Sequence, residues 1–320
     1  MNYRNIPVDL EFTKPDKRDY TLELFGLGEG TPEVYPDHYV MPINTPILNQ
    51  GMTSMCLDYT YRAIEEEQHI SKTGNFKSFA NGFVYAQKVF KKFEGMVEAF
   101  AVSNYTKRGI PFAESYNVAG SYADCKAYFD LHATEEVLAE AKLSRGRKYI
   151  SVTTPEEVIK GIINFRSSGY IGILVTDSFY STGSDGIVPA MLGAERGGHA
   201  MKLKGVTLIN EEQYYVVQNS WGVAWGDMGY CYIKCDNPCI QNMRLFADAT
   251  PQNEVLEISI GDNVIRGLTK DYRMDVAPFI QNDRTYVPLR FISEALGYEV
   301  KWYSEQGTKK LGLVKIQKEV

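Results

Sequence analysis

The sequence lacks the features that would tie it to a nucleic acid or to a membrane. Acidic residues outnumber basic ones, 40 to 34, and the formal net charge is −6. No run of lysine and arginine stands out, so there is no basic patch of the kind that binds nucleic acid or anionic lipid. No stretch approaches the roughly 18 consecutive apolar residues of a membrane span. We therefore expect neither a nucleic-acid partner nor a membrane span.

A secretion signal is also lacking. Residues 1–20 are polar and contain no apolar run that would serve as the hydrophobic region of a signal peptide. The sequence does not decide the location of the protein, which is the cytoplasm, a phage particle, or the cell exterior after removal of a signal peptide.

Cysteine is scarce, with five residues in the chain. An odd number leaves at least one thiol unpaired in a monomer, and a free thiol needs an explanation. Cys231, Cys235 and Cys239 are spaced by four, which on a helix would suggest a metal site. Their local pattern, GYCYIKCDNPC, is that of a strand followed by a loop, so packing or a disulfide is favoured over zinc. The disulfide state of these residues and of Cys125 stays open.

The first part of the chain is predicted to be a lead-in followed by helices. Residues 1–45 are rich in proline, aspartate, glycine and tyrosine, which is typical of an extended segment on a domain surface. Helical apolar spacing follows Cys56 and recurs over residues 79–90. The run Glu65-Glu66-Glu67 is predicted to be the solvated face of the first helix.

The second part is predicted to be rich in strands. Thr154 and Glu157 form a capping box around Pro155 and start one further helix. Strands are then predicted over residues 170–176, 199–209, 214–219 and 229–235. A helical half followed by a β half is an α+β arrangement, and we expect a substrate cleft at the border between the halves.

Cys56 lies where the first helix is predicted to begin. Thr53 or Ser54 is a natural N-cap, which places Cys56 in the first turn. The partial positive charge at a helix N-terminus stabilises a thiolate and lowers the pKa of the thiol. By itself, a cysteine near a helix start is more often a small buried hydrophobic residue.

His199 and Asn219 supply a candidate base and a residue to orient it. His199 opens one predicted strand and Asn219 closes the next, with a turn near Asn210 between them. An antiparallel hairpin folded at that turn places the two side chains roughly opposite each other. The Asn amide then accepts from one ring nitrogen, fixes the tautomer and leaves the other nitrogen for the thiol.

These residues lie in motifs that resemble the papain family. Gln50-Gly51 precedes Cys56, Gly198-His199-Ala200 opens a strand, and residues 219–230 read NSWGVAWGDMGY. The separation of Cys56 and His199, about 140 positions, lies within the roughly 130–150 typical of that family. Weaker similarity covers SFANGFVYAQK and KRGIPFAESYN, so that the resemblance spans about residues 15–245.

The resemblance implies a role for each motif residue. Cys56 would be the nucleophile, His199 the base and Asn219 the residue that orients it. Gln50 would donate to the oxyanion beside the N–H of Cys56, and Trp221 would cover the His–Asn hydrogen bond. The chain reads Thr-Ser-Met-Cys-Leu over residues 53–57, where the family usually reads Cys-Gly-Ser-Cys-Trp. This departure makes the chain similar to divergent bacterial or phage members of the family. It therefore lacks the cysteine of the family's usual disulfide near the site.

The C-terminal region resembles a different family. The stretch DRTYVPLR at residues 283–290 is similar to the small domain named after the N-terminal domain of copper amine oxidases. A short helix is predicted from Pro288 to Leu296, and alternating apolar residues predict strands around Trp302 and Leu313. This region has no histidine and no cysteine. We interpret it as an attachment or interaction module.

The sequence thus predicts an α+β, papain-like fold, with a helical half and a β-barrel-like half, and a small α+β accessory domain. The predicted boundaries are a lead-in over residues 1–45, a peptidase domain over 46–248 and the accessory domain over 251–320. The resemblance implies a cysteine endopeptidase that cleaves protein or peptide substrates through a thioester, with no metal and no organic cofactor.

Two other functions stay open. One is a catalytically idle peptide-binding, virion or surface protein that keeps the fold, and the other is a cell-wall muropeptide hydrolase. The resemblance leaves open a cell-wall, surface or virion partner for residues 251–320. An alternative to the surface position of the lead-in is that residues 1–30 lie along the cleft, and any activating or inhibiting role of these residues stays open. Subsite preference and oligomeric state also stay open.

Overall fold

A computed structural model describes residues 3–14, 19–27, 35–89, 93–144, 148–247 and parts of 256–318. The chain divides into two compact units. The first comprises residues 1–15, 21–23 and 27–250, and the second comprises residues 251–320 with the short segments 16–20 and 24–26.

Helices of the first unit form mainly before and between its strands. The α-helices are α1 (Cys56–Thr73), α2 (Glu98–Arg108), α3 (Tyr122–His132), α4 (Glu135–Leu143) and α5 (Pro155–Phe165). Single 3₁₀ turns cover Tyr3–Asn5, Leu22–Phe25, Tyr85–Gln87 and Asp177–Ser181. Helix α5 starts with the predicted capping box of Thr154 and Glu157. Gly74, with φ of 74°, ends α1 in the left-handed conformation that glycine adopts without strain.

One antiparallel sheet makes up the β half. Its strands are β1 (Tyr39–Val40), β2 (Lys148–Val152), β3 (Gly169–Thr176), β4 (Glu195–Ile209), β5 (Glu212–Gln218), β6 (Tyr230–Lys234) and β7 (Ile240–Ala247). They are ordered β2-β7-β3-β4-β5-β6, and β1 pairs with β4. The four predicted strands correspond to β3 to β6, and the α+β class is confirmed.

The prediction that Glu65-Glu66-Glu67 faces solvent is wrong. All three side chains are buried, and each carboxylate has a partner, on a neighbouring element for Glu65 and Glu67 and on α1 itself for Glu66. The Tyr105 hydroxyl donates to Glu65, Arg62 pairs with Glu66, and Lys202 pairs with Glu67. Helix α1 is thus packed on every side rather than amphipathic.

The predicted helix over residues 79–90 is also not found in the described part of that segment. Residues 79–89 form turns with one short 3₁₀ helix, and Gly82 has a φ of 78°. Their backbone N–H groups bond to a side chain instead of to a helical ladder. The buried carboxylate of Asp58 accepts from Gly82 at 2.6 Å, Val84 at 3.1 Å and Tyr85 at 3.0 Å. Apolar spacing did not reveal this competing acceptor.

The second unit consists of short antiparallel strands in its described residues. These strands are β8 (Leu256–Ile258), β9 (Val264–Gly267), β10 (Asp271–Arg273), β11 (Phe279–Gln281), β12 (Arg284–Tyr286), β13 (Tyr298–Ser304) and β14 (Gly312–Lys318). They form a sheet of order β10-β9-β8 and the hairpins β11-β12 and β13-β14. The helix predicted from Pro288 to Leu296 lies outside the described residues. In the described parts of both units, no helix has the length and apolar character needed to cross a membrane.

We predict that Asp58→Ala strongly destabilises the first unit. Three backbone donors would lose their acceptor, and a buried unsatisfied donor costs about 1–3 kcal/mol, so the loss should be at least about 3 kcal/mol. The urea midpoint of unfolding measures it. Asp130→Ala is the matched control, because Asp130 is exposed and only pairs with Lys126 on the surface of α3. Equal midpoints for the two variants would contradict the prediction.

Candidate active site

Cys56 is the first residue of α1 and is almost fully buried. The predicted cap is wrong: the N-cap is Met55, which makes no side-chain capping bond. Thr53 instead donates its hydroxyl to the Gln50 carbonyl at 2.7 Å, and Ser54 bonds to Asp9. Both hydroxyls near the helix start therefore have other partners.

His199 and Asn219 lie side by side at the open end of the hairpin of β4 and β5, whose register pairs Lys202 with Gln218 just before Asn219. Strands β4 and β5 are joined by the two residues Asn210 and Glu211, both with positive φ, the conformation of the tightest hairpin turns. The His199 Nε2 lies 2.8 Å from the Asn219 Oδ1. The Trp221 ring covers the imidazole at a centroid distance of 5.0 Å.

The second ring nitrogen of His199 remains available. Its Nδ1 is buried and makes no hydrogen bond to any described residue. The thiol of Cys56 accepts a hydrogen bond from the backbone N–H of Ala200, the residue that follows His199. The structure thus places the thiol against the backbone of β4 next to His199, at the border between the helical and the β half, while no hydrogen bond joins the thiol to the Nδ1 of that ring.

Gln50 is buried beside this group, and its amide has a fixed orientation. Its Nε2 donates to the Thr53 carbonyl at 2.8 Å, and its Oε1 accepts from the Ser220 hydroxyl at 2.7 Å. An amide nitrogen carries two hydrogens, so one remains for a further acceptor. Ser220 was missed as a positioning residue in the sequence, although it lies inside the NSWG motif.

Burial holds both reactive groups in their neutral forms. Burial raises the pKa of Cys56 to about 12; the N–H of Ala200 opposes this shift, and the charge of Asp9 adds to it. Burial lowers the pKa of His199 to about 4, against the hydrogen bond with Asn219. The lowered thiol pKa expected from the helix N-terminus is therefore not found, because loss of water outweighs the helix dipole in this closed cleft.

The cleft is closed by residues 8–13, which we call the cleft segment. The Leu10 N–H donates to the Gly198 carbonyl on the β side at 3.0 Å. On the helical side, the Glu11 N–H donates to the Met96 carbonyl and the Glu98 N–H donates to the Glu11 carbonyl, each at 3.0 Å. This part of the lead-in therefore runs through the cleft and is not an extended layer on the domain surface.

The two glycines before His199 allow this close approach. A Cβ at Gly197 would lie 1.7 Å from the Val8 carbonyl oxygen, and one at Gly198 would lie 2.2 Å from that of Leu10. Any side chain at either position would push the cleft segment away.

Asp9 places a carboxylate close to Cys56. It accepts hydrogen bonds from the Ser54 side chain and the Gly95 backbone, and burial raises its pKa. Lys88 lies close enough to oppose that shift, and its ammonium donates to the carbonyls of residues 93, 94 and 95. Lys88 thereby holds the loop that binds Asp9.

Comparison with known proteins identifies the family. A family model described as papain family cysteine protease matches residues 45–248. The chain belongs to this family. A second model, described as copper amine oxidase N-terminal domain, matches residues 246–311, so both predicted resemblances are confirmed.

Individual relatives agree with this assignment. The chain is 40% identical over 60 residues to a cathepsin B-like cysteine proteinase 5 of Caenorhabditis elegans, which is 19% of this chain and 17% of that protein. It is 26% identical over 217 residues to a cathepsin L-like peptidase of Aedes aegypti, which is 61% of this chain and 57% of that protein. The chain thus spans between about a sixth and somewhat over half of these papain-family relatives.

A solved structure supports the fold. Xylellain, a cysteine protease from Xylella fastidiosa, is matched with a TM-score of 0.60 at 15% identity, over 78% of this chain and 98% of that one. At that identity the likeness concerns the fold, and the papain-like fold class is confirmed.

The other four cysteines are not gathered into a site. All five cysteines carry free thiols. Cys231 lies on β6, whereas Cys235 and Cys239 lie between β6 and β7. In the described ranges, no group of three or more histidine, cysteine or acidic residues is placed to hold a metal ion.

We predict that Asp9→Asn makes Cys56 easier to ionise. A nearby carboxylate disfavours a thiolate, so its removal should lower the pH midpoint of iodoacetamide alkylation by about one unit. Mass spectrometry of the labelled Cys56 peptide across a pH series measures it. Glu11→Gln is the control, because that exposed side chain belongs to the same segment. The same midpoint in Asp9→Asn and the wild type would refute the effect.

Proposed function

We propose that this chain is a cysteine endopeptidase that cleaves protein or peptide substrates through Cys56, His199 and Asn219. The observation that carries the proposal is the state of the His199 ring. The Nε2 of His199 is held by Asn219, and the Nδ1 is unpartnered. The next residue in the chain, Ala200, binds the Cys56 thiol through its backbone N–H. A base held on one side and free on the other can take a proton from a nucleophile.

The first half of the reaction forms a thioester. His199 Nδ1 takes the proton of the Cys56 thiol, and the thiolate attacks the carbonyl carbon of the scissile peptide bond. The negative charge that develops on the carbonyl oxygen is stabilised by the N–H of Cys56 and the remaining N–H of Gln50. The imidazolium then protonates the departing amine, and the acyl group stays on the sulfur.

The second half releases the product. His199 takes a proton from water, the resulting hydroxide attacks the thioester carbonyl, and the Cys56 sulfur leaves as the thiolate. Asn219 keeps the ring orientation through both halves, and Trp221 keeps water away from the His–Asn bond. This chemistry requires an open cleft, since the thiol and the imidazole form an ion pair only when solvent reaches them.

One observation favours a second candidate, a catalytically idle peptide-binding protein. The cleft segment fills the cleft, and the thiol under it is only 4% exposed. In such a protein the closed state would be permanent and the cleft would only hold a chain segment. Alkylation of Cys56 by an epoxide-type thiol inhibitor together with hydrolysis of a casein substrate supports the peptidase, and a protein that does neither in any variant supports the binder.

We predict graded losses of activity in the four site residues. Cys56→Ala and His199→Ala should each remove hydrolysis of a fluorogenic peptide to background, because they act as one unit. Asn219→Ala should leave a measurable remainder, since it only orients the ring. Gln50→Ala should lower kcat by about 10²–10³, the usual loss for one oxyanion donor. An unchanged kcat in Gln50→Ala would locate the oxyanion donors elsewhere.

We also propose that residues 251–320 form an accessory domain that takes no part in the chemistry. The four site residues lie between positions 50 and 219, inside the first compact unit. Truncation after residue 250 should leave hydrolysis of a short peptide within about twofold and weaken only retention on a large target, because tethering raises the effective concentration without altering the chemistry. A truncated protein with normal circular dichroism and no hydrolysis of the short peptide would contradict this division.

A further inference from the structure

A buried carboxylate lies at the far end of the cleft segment and binds it. Glu98 is the first residue of α2, and its side chain is fully buried. Its two oxygens have different partners. Oε1 accepts from the Tyr170 hydroxyl and from the Arg244 Nε at 2.9 Å, both on the sheet. Oε2 faces the cleft.

The cleft segment uses the oxygen that faces the cleft. Oε2 accepts from the Thr13 N–H at 3.0 Å and from the Thr13 hydroxyl at 3.2 Å. Asn242, whose Nδ2 lies 2.6 Å from the same oxygen, also donates to the Thr13 carbonyl at 3.0 Å. Glu98 and Asn242 thus bind the N–H, the hydroxyl and the carbonyl of Thr13.

Phe12, the residue before Thr13, lies on an apolar surface. A Cβ on Gly172 would lie 2.5 Å from the Phe12 ring, and one on Gly198 would lie 2.8 Å from it. The two glycines therefore leave a flat surface on which an aromatic ring rests. The structure shows a Phe-Thr pair held in adjacent sites, with the backbone of the preceding residue bonded to the cleft wall.

The bound pair Phe12-Thr13 indicates which side chains the open cleft would bind in a substrate. When an extended chain adds to an exposed backbone edge, the backbone bonds supply affinity and the side-chain pockets supply specificity. A site built to hydrogen-bond a hydroxyl discriminates against an analogue that lacks it. Without the hydroxyl, Oε2 would keep the Thr13 N–H and Asn242 as donors, but a methyl group would lie against the buried carboxylate in place of the third donor. Arg244 and Tyr170 hold Glu98 in position whether or not the cleft is occupied.

We propose that Glu98 and Asn242 form a substrate subsite for a threonine or serine, adjacent to the surface on Gly172 and Gly198 that takes an aromatic residue. This specificity rests on the proposed peptidase function. The cleft segment fills the subsite with Thr13, and a substrate with a hydroxyl-bearing residue displaces it.

The first experiment tests the subsite in the full chain without peptide hydrolysis. Thr13→Val keeps the shape of the side chain and removes the hydroxyl, so the cleft segment should be released more often and iodoacetamide should alkylate Cys56 about tenfold faster. Thr13→Ser is the matched control and should stay within about threefold of the wild type, because it keeps the hydroxyl. Equal rates for the Val and Ser variants overturn the proposal.

The second experiment tests the subsite with substrates. Fluorogenic peptides that contain Phe-Thr or Phe-Val, and the same pairs in reverse order, are compared on the Thr13→Val protein. The threonine peptide should have a kcat/KM at least about tenfold higher in one of the two orders, and Glu98→Gln should reduce that ratio towards one. If Glu98→Gln does not fold, the peptide ratio on the Thr13→Val protein decides alone. No preference in either order overturns the proposal.

The two experiments separate failure of the subsite from failure of the function. Faster alkylation of Thr13→Val with no hydrolysis of any peptide supports the subsite as a binding site and refutes the peptidase. Hydrolysis without preference for threonine supports the peptidase and refutes the subsite.

Discussion

The arrangement of the site depends on the seam between α1 and β4. Three bonds join these elements close to Cys56 and His199. Thr60 donates its hydroxyl to the Ala200 carbonyl at 3.2 Å. Lys202 donates to the Ala63 carbonyl at 3.1 Å and pairs with Glu67 at 2.7 Å. Because Cys56 begins α1 and His199 lies on β4, this seam sets the distance between the thiol and the imidazole.

The seam is polar although it is buried, which has an energetic consequence. A buried ion pair such as Lys202–Glu67 gains little net stability, since the desolvation of both charges offsets their attraction. Loss of one partner is costly, however, because it leaves an unpaired charge in the interior. Such pairs therefore fix the register of two elements more than they stabilise them. Glu98 and Arg244 make a second pair of this kind between α2 and β7, at the other end of the cleft.

The sequence predicted the local structure around the candidate site well where one residue pattern determined one local geometry. The hairpin between His199 and Asn219 followed from alternation and the turn at Asn210, and the helix after Cys56 followed from apolar spacing. Both patterns are local. The prediction that the helix after Cys56 lies next to the hairpin came from the family motifs instead. The strands β3 to β6 were predicted for the same reason, within a few residues at each end.

The remaining errors share one physical cause, which is a partner distant in sequence. Glu65 and Glu67 have the composition of a solvated face, and only contacts with Tyr105 and Lys202, both distant in the sequence, explain their burial. Asp58 removes residues 82–85 from a helix by accepting their backbone N–H groups. The pKa of Cys56 rises because the cleft segment, more than 40 positions earlier in the chain, covers it. No periodicity in the sequence records any of these contacts.

In the proposed peptidase, the cleft segment and a substrate would compete for the same groups, and this would couple specificity to closure. The Gly198 carbonyl, the Met96 carbonyl and the Glu98 N–H bind the cleft segment, and an extended substrate would use the same groups. Any change that improves the fit of the cleft segment also raises the affinity that a substrate must exceed. Asp9 differs from the rest of the segment, because its carboxylate contacts the start of α1 through Ser54 and raises the pKa of Cys56. In the proposed peptidase the segment would therefore oppose the reaction in two ways, by occupying the groups that a substrate would bind and by keeping the Cys56 thiol protonated.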